Sequence, residues 1–283
     1  MSLTALRRRH PQIVRGVLEI VLILALWVGY SLSRLVADTA MGPAMHRAHE
    51  LLRFETVLGI HWEVPLNELF TNHRVIGLLG SYWYASLHYV VTAAVLLWLY
   101  RLGTRVYAPA RRALVIGTLL GLAAYLLMPT APPRFITGYV DVLSLHASDG
   151  WWASDASAPR GLGGLTNELA AFPSLHAGWA LWVAISLQRH ARHRWVRALG
   201  WTYAVGTGVV IIGTGNHWVI DVLMGYLVIA AGWAAAEWAP RIPVLVSAPA
   251  ARPMPAAAAP LPTPAPAPLT RSLPTPAARS RLD

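Results

Sequence analysis

Apolar residues gather into six long runs, at roughly 13–36, 80–100, 112–128, 173–188, 196–213 and 217–238. A helix needs about 20 residues to cross the hydrocarbon core of a bilayer. The third and fourth runs are short by that count, but each continues into residues suited to the interface. No alternating strand pattern of about ten residues recurs, so helices are the spanning structure to expect. The pattern predicts an all-α polytopic membrane protein with a six-transmembrane-helix bundle over 13–239. The first run is too long for a signal-peptide core, and no small-residue cleavage site follows it. It is expected to be retained.

The connections differ in kind. Residues 38–74 mix apolar and charged positions at helical spacing (Met45, His46, His49, Leu52, Phe54, Leu58). They predict one or two amphipathic helices along the outer interface. A long external loop, 129–172, joins the third and fourth spans. Residues 240–283 are rich in Pro and Ala, a composition that cannot bury a core, and predict a disordered tail. No repeat of solenoid or transporter period is visible.

Composition agrees with the pattern. Charged residues are 13% and hydrophobic ones 55% of the 283, against about 25% charged in soluble domains. With no cysteine, disulfides, thiolate nucleophiles and cysteine metal sites are excluded. The net charge of +10 invites a nucleic-acid reading, but the placement of the arginines argues against a nucleic-acid partner. Arg7, Arg8, Arg9 and Arg15, then Arg101, Arg105, Arg111 and Arg112, then Arg189, Arg192, Arg194 and Arg197 all fall on one side of a six-span bundle. Most of the acids fall on the other: Asp38, Glu50, Glu55, Glu63, Glu68, Asp141, Asp149, Asp155 and Glu168. The positive-inside rule puts both termini, including 1–12 and the tail, in the cytoplasm. Every basic residue is arginine, and Ala and Pro abound; this suggests a high-GC bacterial genome and a bacterial plasma membrane.

Three polar clusters then share the external face, where ionisable residues at span depth are informative. Phe172-Pro173-Ser174-Leu175-His176 opens the fourth span. Pro173 suits the first helical position, the following amides and the helix dipole form an anion site, and Ser174 and His176 add a hydroxyl and a titratable ring. Asn216-His217-Trp218-Val219-Ile220-Asp221 opens the sixth span. His217 and Asp221 are four apart and share a helix face, so the carboxylate can hold the imidazole in one tautomer. Pro129-Thr130-Ala131-Pro132-Pro133-Arg134-Phe135 lies just outside the third span, where Arg134 can present a planar fork to phosphate. Tyr125, His88 and Asn216 are candidates to line the same pocket. Together these residues suit phosphoryl transfer through a phosphohistidine. Arg134, Ser174 and the amides would bind the phosphate, His217 would attack, Asp221 would orient it, and His176 would protonate the leaving oxygen. Trp151-Trp152 reads as a lipid-facing patch.

The Pro-Ser-Leu-His element followed by His-x-x-x-Asp resembles the type 2 phosphatidic acid phosphatase superfamily. FPSLHAGW (172–179), NHWVIDVLMG (216–225) and APPR (131–134) look most like its inositol phosphorylceramide synthase branch. The resemblance covers roughly residues 50–238. It implies a six-helix core and metal-independent transfer of a lipid-linked phosphate with no cofactor. It also implies that His217 is the nucleophile, Asp221 its partner, His176 the acid and Arg134 the arginine of the upstream motif. The substrate implied is a phospholipid or isoprenoid phosphate, with water or a hydroxyl as acceptor; the branch leans towards inositol-phosphate or related head-group transfer. Two family cations are missing, since Leu127 and Ile211 stand where the superfamily has lysine and arginine. Arg160 and His146 of the external loop are the candidates to replace them.

Two other readings stay open on the residues alone. A proton-coupled six-span transporter could use His217 and Asp221 as a relay, although inverted repeats and broken helices are not visible. A metallohydrolase could use His176, His217 and Asp221 to hold zinc.

Overall fold

A computed structural model describes residues 41–152 and 168–238, together with 16, 17 and 21. The first expected span, 13–36, is thus described only at those three positions. The 1–12 segment, the 240–283 tail and Arg160 lie outside the described residues.

The expected interfacial segment forms two helices, α1 (Met41–Leu58) and α2 (Glu63–Asn72). They do more than lie on a surface. Ala44, Ala48 and Glu55 on α1, and Glu63, Asn67 and Phe70 on α2, are buried. Arg47 donates to the Pro129 carbonyl at 2.6 Å. Asn67 ties two segments together: its amide nitrogen donates to the carbonyls of Val140 and Gly213, and its oxygen accepts from the Val140 N–H. The pair therefore docks onto one end of the bundle.

Helix α3 runs over Arg74–Leu102, 29 residues, with one π-helical turn at Trp83–Leu87. At 1.5 Å per residue it is about 43 Å long, so it overshoots a hydrocarbon core of about 30 Å. Its start precedes the expected residue 80, because Arg74 and Gly77 dilute the hydropathy of a turn that is helical all the same. Gly103, at φ +106, breaks the chain into α4 (Thr104–Leu127). A short 3-10 turn (Pro133–Phe135) and the four-residue α5 (Val142–Leu145) follow. Then come α6 (Leu175–His190), α7 (Arg194–Gly213) and α8 (Val219–Trp238).

Four helices, α3, α4, α7 and α8, are long and apolar enough to cross a membrane. The fourth expected span, α6, has 16 residues. Pro173 is not its first helical residue. Ser174 is the N-cap, its Oγ accepting from the Ala177 N–H at 3.3 Å, and the helix begins at Leu175. Among the described residues there is no strand, only an isolated bridge between Thr130 and Ala170.

Within lipid the hydrophobic effect does not drive one helix onto another, so close packing must. α8 lies along α4 and α6 through glycine. A Cβ at Gly232 would stand 2.5 Å from the Ala113 carbonyl, and one at Gly225 would stand 2.1 Å from the Ser174 carbonyl. Trp152 is fully buried and donates to the Leu143 carbonyl at 2.9 Å, so it is core and not the lipid-facing residue expected; Trp151 is 40% exposed.

Candidate active site

Four parts of the chain converge at the end of the bundle carrying α1 and α2. They are the π turn of α3, the end of α4 with its following loop, the start of α6 and the start of α8. The structure brings His217, Asp221, His176, Arg134, Asn216, Tyr125 and His88 together there.

His217 precedes α8 and is 3% exposed. Its Nδ1 lies 2.9 Å from the Ala171 carbonyl and 3.4 Å from Asp221 Oδ2. A carbonyl oxygen only accepts, so Nδ1 carries the ring proton and Nε2 keeps its lone pair. The expected tautomer follows, but its closer partner is backbone and not Asp221. The carboxylate's shorter bond, 2.8 Å, is from the Trp218 N–H. Asp221 thus holds the helix start and steadies the ring from a distance. Ala171 comes from the segment before α6, and a backbone carbonyl has no signature in sequence.

His176 sits in the first turn of α6. Its ring centroid is 5.6 Å from that of His217 and 4.1 Å from that of His88. Tyr84, from the π turn of α3, stacks on it at 4.4 Å. The Nδ1 of His88 is 3.0 Å from the Tyr84 carbonyl and so donates to it. π turns are common at functional sites; this one holds Tyr84 and His88 against His176. Tyr84 was not among the expected residues. Tyr125, buried near the end of α4, accepts from the Leu175 N–H at 3.3 Å and so reaches the start of α6.

Arg134 is locked in place. Its backbone N–H donates to Gly215 at 2.9 Å, Nη1 donates to Asn216 Oδ1 at 2.5 Å, and Nε is 3.5 Å from Asp141. Its guanidinium also lies over the Phe135 ring at 4.9 Å. Its charge acts on His217. Asn216 therefore aims the arginine, which is more than lining a pocket.

Ser174 is fully buried, and its Oγ accepts from the Ala177 N–H as the cap of its own helix, which uses the oxygen and not the hydroxyl proton. One expectation changes here. The start of α8 is not an open anion site. The Trp218, Val219 and Ile220 amides are accepted by Asp221 Oδ2, Glu63 Oε1 and Glu55 Oε1, the last two at 2.7 Å each. Carboxylates satisfy the helix dipole there, and at the start of α6 the Leu175 amide donates to Tyr125 and the Ala177 amide to Ser174.

The sequence marks Glu55 and Glu63 only as topogenic acids. The available signal was Glu55 on the same helical face as Ala44 and Ala48, a carboxylate in a buried stripe. Burial, followed by a hydrogen bond to Glu63, holds the Glu55 carboxyl well above the usual carboxylate range. Beside them His61 Nε2 is 2.8 Å from the Tyr139 hydroxyl and 3.7 Å from Glu63 Oε2. Burial, then the charges of Glu63 and Glu55, raises the pKa of Tyr139.

At the positions of the missing family cations, Leu127 is 79% exposed and Ile211 is fully buried, its carbonyl accepting from the Asn216 and His217 amides. His146 is turned to Asp149, 3.4 Å away, and packs against Gly77, so it does not replace them. Among the described residues no group of three His, Asp or Glu side chains could hold a metal ion.

The family model of the PAP2 superfamily matches residues 49–235, well over half of the chain. The chain belongs to the PAP2 superfamily. No curated protein and no solved structure matches it. The span matched to the PAP2 superfamily runs from α1 to α8 and includes all the residues of the cluster. Membership points to an enzyme, a lipid phosphatase or phosphotransferase, rather than to a proton-relaying transporter.

Proposed function

We propose that the protein is a lipid-phosphate phosphatase or phosphotransferase working at the extracytoplasmic face through a phosphohistidine on His217. One observation carries this: two imidazoles 5.6 Å apart by ring centroid, one with Nδ1 tied to Ala171 and Nε2 left with its lone pair, beside a fixed guanidinium.

Nε2 of His217 attacks phosphorus as the bond to the leaving oxygen breaks. His176 gives that oxygen its proton. Arg134 balances the charge on the non-bridging oxygens. His176, now neutral, then takes a proton from water or a hydroxyl as that oxygen attacks the phosphohistidine and frees His217. Every group this cycle needs belongs to the chain, so the proposal includes independence from added metal. The resemblance of FPSLHAGW and NHWVIDVLMG to the inositol phosphorylceramide synthase branch supports head-group transfer from a phospholipid to a hydroxyl acceptor over plain hydrolysis.

Purified protein in mixed micelles should release or transfer phosphate from a panel of phospholipids and isoprenoid phosphates in the presence of a chelator. Labelled phosphate should be trapped, acid-labile, on histidine. His217→Ala should lose both signals. Retained turnover in that variant would remove His217 from the mechanism, and chelator-sensitive turnover would return the metal reading.

A further inference from the structure

Three carboxyl groups meet the first amides of α8, and each comes from a different element. Asp221 belongs to α8 itself, Glu63 to α2 and Glu55 to α1. All three are fully buried. Capping by a carboxylate is favourable, since the amides and the helix dipole are positive there. Three negative charges around one dipole end are not, because each added anion repels the others in a medium of low polarity.

The arrangement of oxygens shows how the excess is relieved. Glu63 and Glu55 each use Oε1 on neighbouring amides, those of Val219 and Ile220. The other oxygen of each, Oε2, makes no hydrogen bond among the described residues, although His61 Nε2 stands 3.7 Å from that of Glu63. Because those two amides are consecutive, the two carboxyls are held as neighbours at one helix end. As two carboxylate anions they could not bond to each other, because both only accept. A proton on Oε2 of Glu55, donated to Glu63, satisfies both orphan oxygens and removes one charge. Like-charged carboxyls that share a site titrate in this way, one of them retaining its proton.

We infer that Glu55 and Glu63 form a proton-bridged carboxyl pair that positions the start of α8, and with it His217, for the reaction. They are positioning residues, since neither touches the reacting atoms. The inference rests on His217 being the nucleophile. His217 stands one residue before the Trp218 amide, so the same short segment carries the ring and the capped amides. The groups facing the pair are His61 and Tyr139 from the adjoining loops, Asp221 and His217 at α8, and Arg134 beyond His217. Loss of the bridging proton puts a second charge against Glu63 and Asp221, loosens the cap and displaces the nucleophile. Turnover should therefore fall on the alkaline side as the pair gives up its proton. The raised Glu55 carboxyl agrees with a proton retained at neutral pH.

Glutamine tests this because it mimics the protonated acid. In Glu55→Gln the amide oxygen still accepts from Ile220 and the amide nitrogen donates permanently to Glu63. That variant should keep kcat within about threefold of wild type and lose or shift the alkaline limb of the kcat profile. Glu55→Ala leaves Glu63 unsatisfied and should lower kcat by about 10- to 100-fold with KM little changed. An infrared difference spectrum, wild type minus Glu55→Gln, reads the proton without any turnover. It should contain a carboxylic-acid C=O band at neutral pH that disappears in alkali. The proposal is overturned if that band is missing, if the alkaline limb is identical in the glutamine variant, or if glutamine and alanine are equally damaging. If wild type transfers no phosphate at all, the proposed function fails, and the infrared band alone still decides whether the proton bridge exists.

Discussion

At the scale of single residues the site depends on fixed partners more than on the identity of its reactive groups. Arg134 is held by Asn216, Asp141 and the Gly215 carbonyl, so its fork is aimed before any anion arrives. A lysine has no planar fork and cannot bond Asn216 while also offering two parallel donors. Arg134→Lys should lower kcat/KM about 100-fold, and Asn216→Ala, which frees the arginine without removing it, about tenfold. Steady-state kinetics on one lipid phosphate checks both, and equal losses would mean that Asn216 does more than aim the guanidinium. Glu55 has a second, thermodynamic consequence. Its folded-state pKa is raised, so between the ordinary Glu range and that raised value the native chain holds a proton that the unfolded chain releases. Stability is then highest at or below the ordinary range and declines as pH rises from there through neutrality towards the raised value. Thermal unfolding in detergent should show this decline, and Glu55→Gln should flatten it.

At the scale of elements, legibility followed the range of the interaction. The His217–Asp221 pairing shows in sequence because a four-residue spacing on a helix is local, and so does the start of α6, within two residues. The misplacement there has a local reason: Pro173 suits a first helical position, but Ser174 is the stronger cap, and the cap decides where the helix begins. The Ala171 carbonyl, the Tyr84 ring and the two capping glutamates were not legible. Each reaches His217, His176 or the start of α8 across tens of residues or more, through contacts that only packing creates. Trp152 misled for a related reason, since a tryptophan pair beside a span reads as interfacial until a loop folds over it. Packing of α6 on α8 carries the next prediction. Gly225 lets the two backbones touch at the Ser174 carbonyl, and the Ser174 N–H in turn donates to the Asp221 carbonyl at 2.9 Å. A methyl at Gly225 has only rigid backbone to push against. Gly225→Ala should separate the starts of α6 and α8, cost about 1–3 kcal/mol of stability and remove most activity. Gly59→Ala serves as the control for a glycine change outside these packed crossings: no heavy atom lies within 4 Å of its new methyl, although φ +68 strains it, so activity should persist. Turnover and thermal unfolding of the two variants separate the outcomes.

At the scale of the molecule, the two ends of the bundle differ in charge. The end of α3 and the start of α4 carry Arg101, Arg105, Arg111 and Arg112, and the end of α6 and the start of α7 carry Arg189, Arg194 and Arg197. The reactive cluster is at the other end. Three of the arginines there are engaged locally, Arg134 in the site, Arg47 on Pro129 and Arg74 on Asp149, while Arg53 on α1 is exposed. The proposed extracytoplasmic site follows from the positive-inside rule applied to these arginines, and it would limit the substrates to the outer leaflet and the acceptors to what lies beyond it. This sidedness can be read without any assay of catalysis. The chain has no cysteine, so a single introduced thiol has no background. Val57, 84% exposed on α1, marks the end with the site, and Trp195, 67% exposed at the start of α7, marks the arginine end. Neither side chain packs in the core, so both cysteine variants should fold. In intact cells Val57→Cys should react with a membrane-impermeant maleimide, and Trp195→Cys should react only after the membrane is opened. The reverse pattern would turn the site to the cytoplasm, and the substrate would have to be a lipid of the inner leaflet.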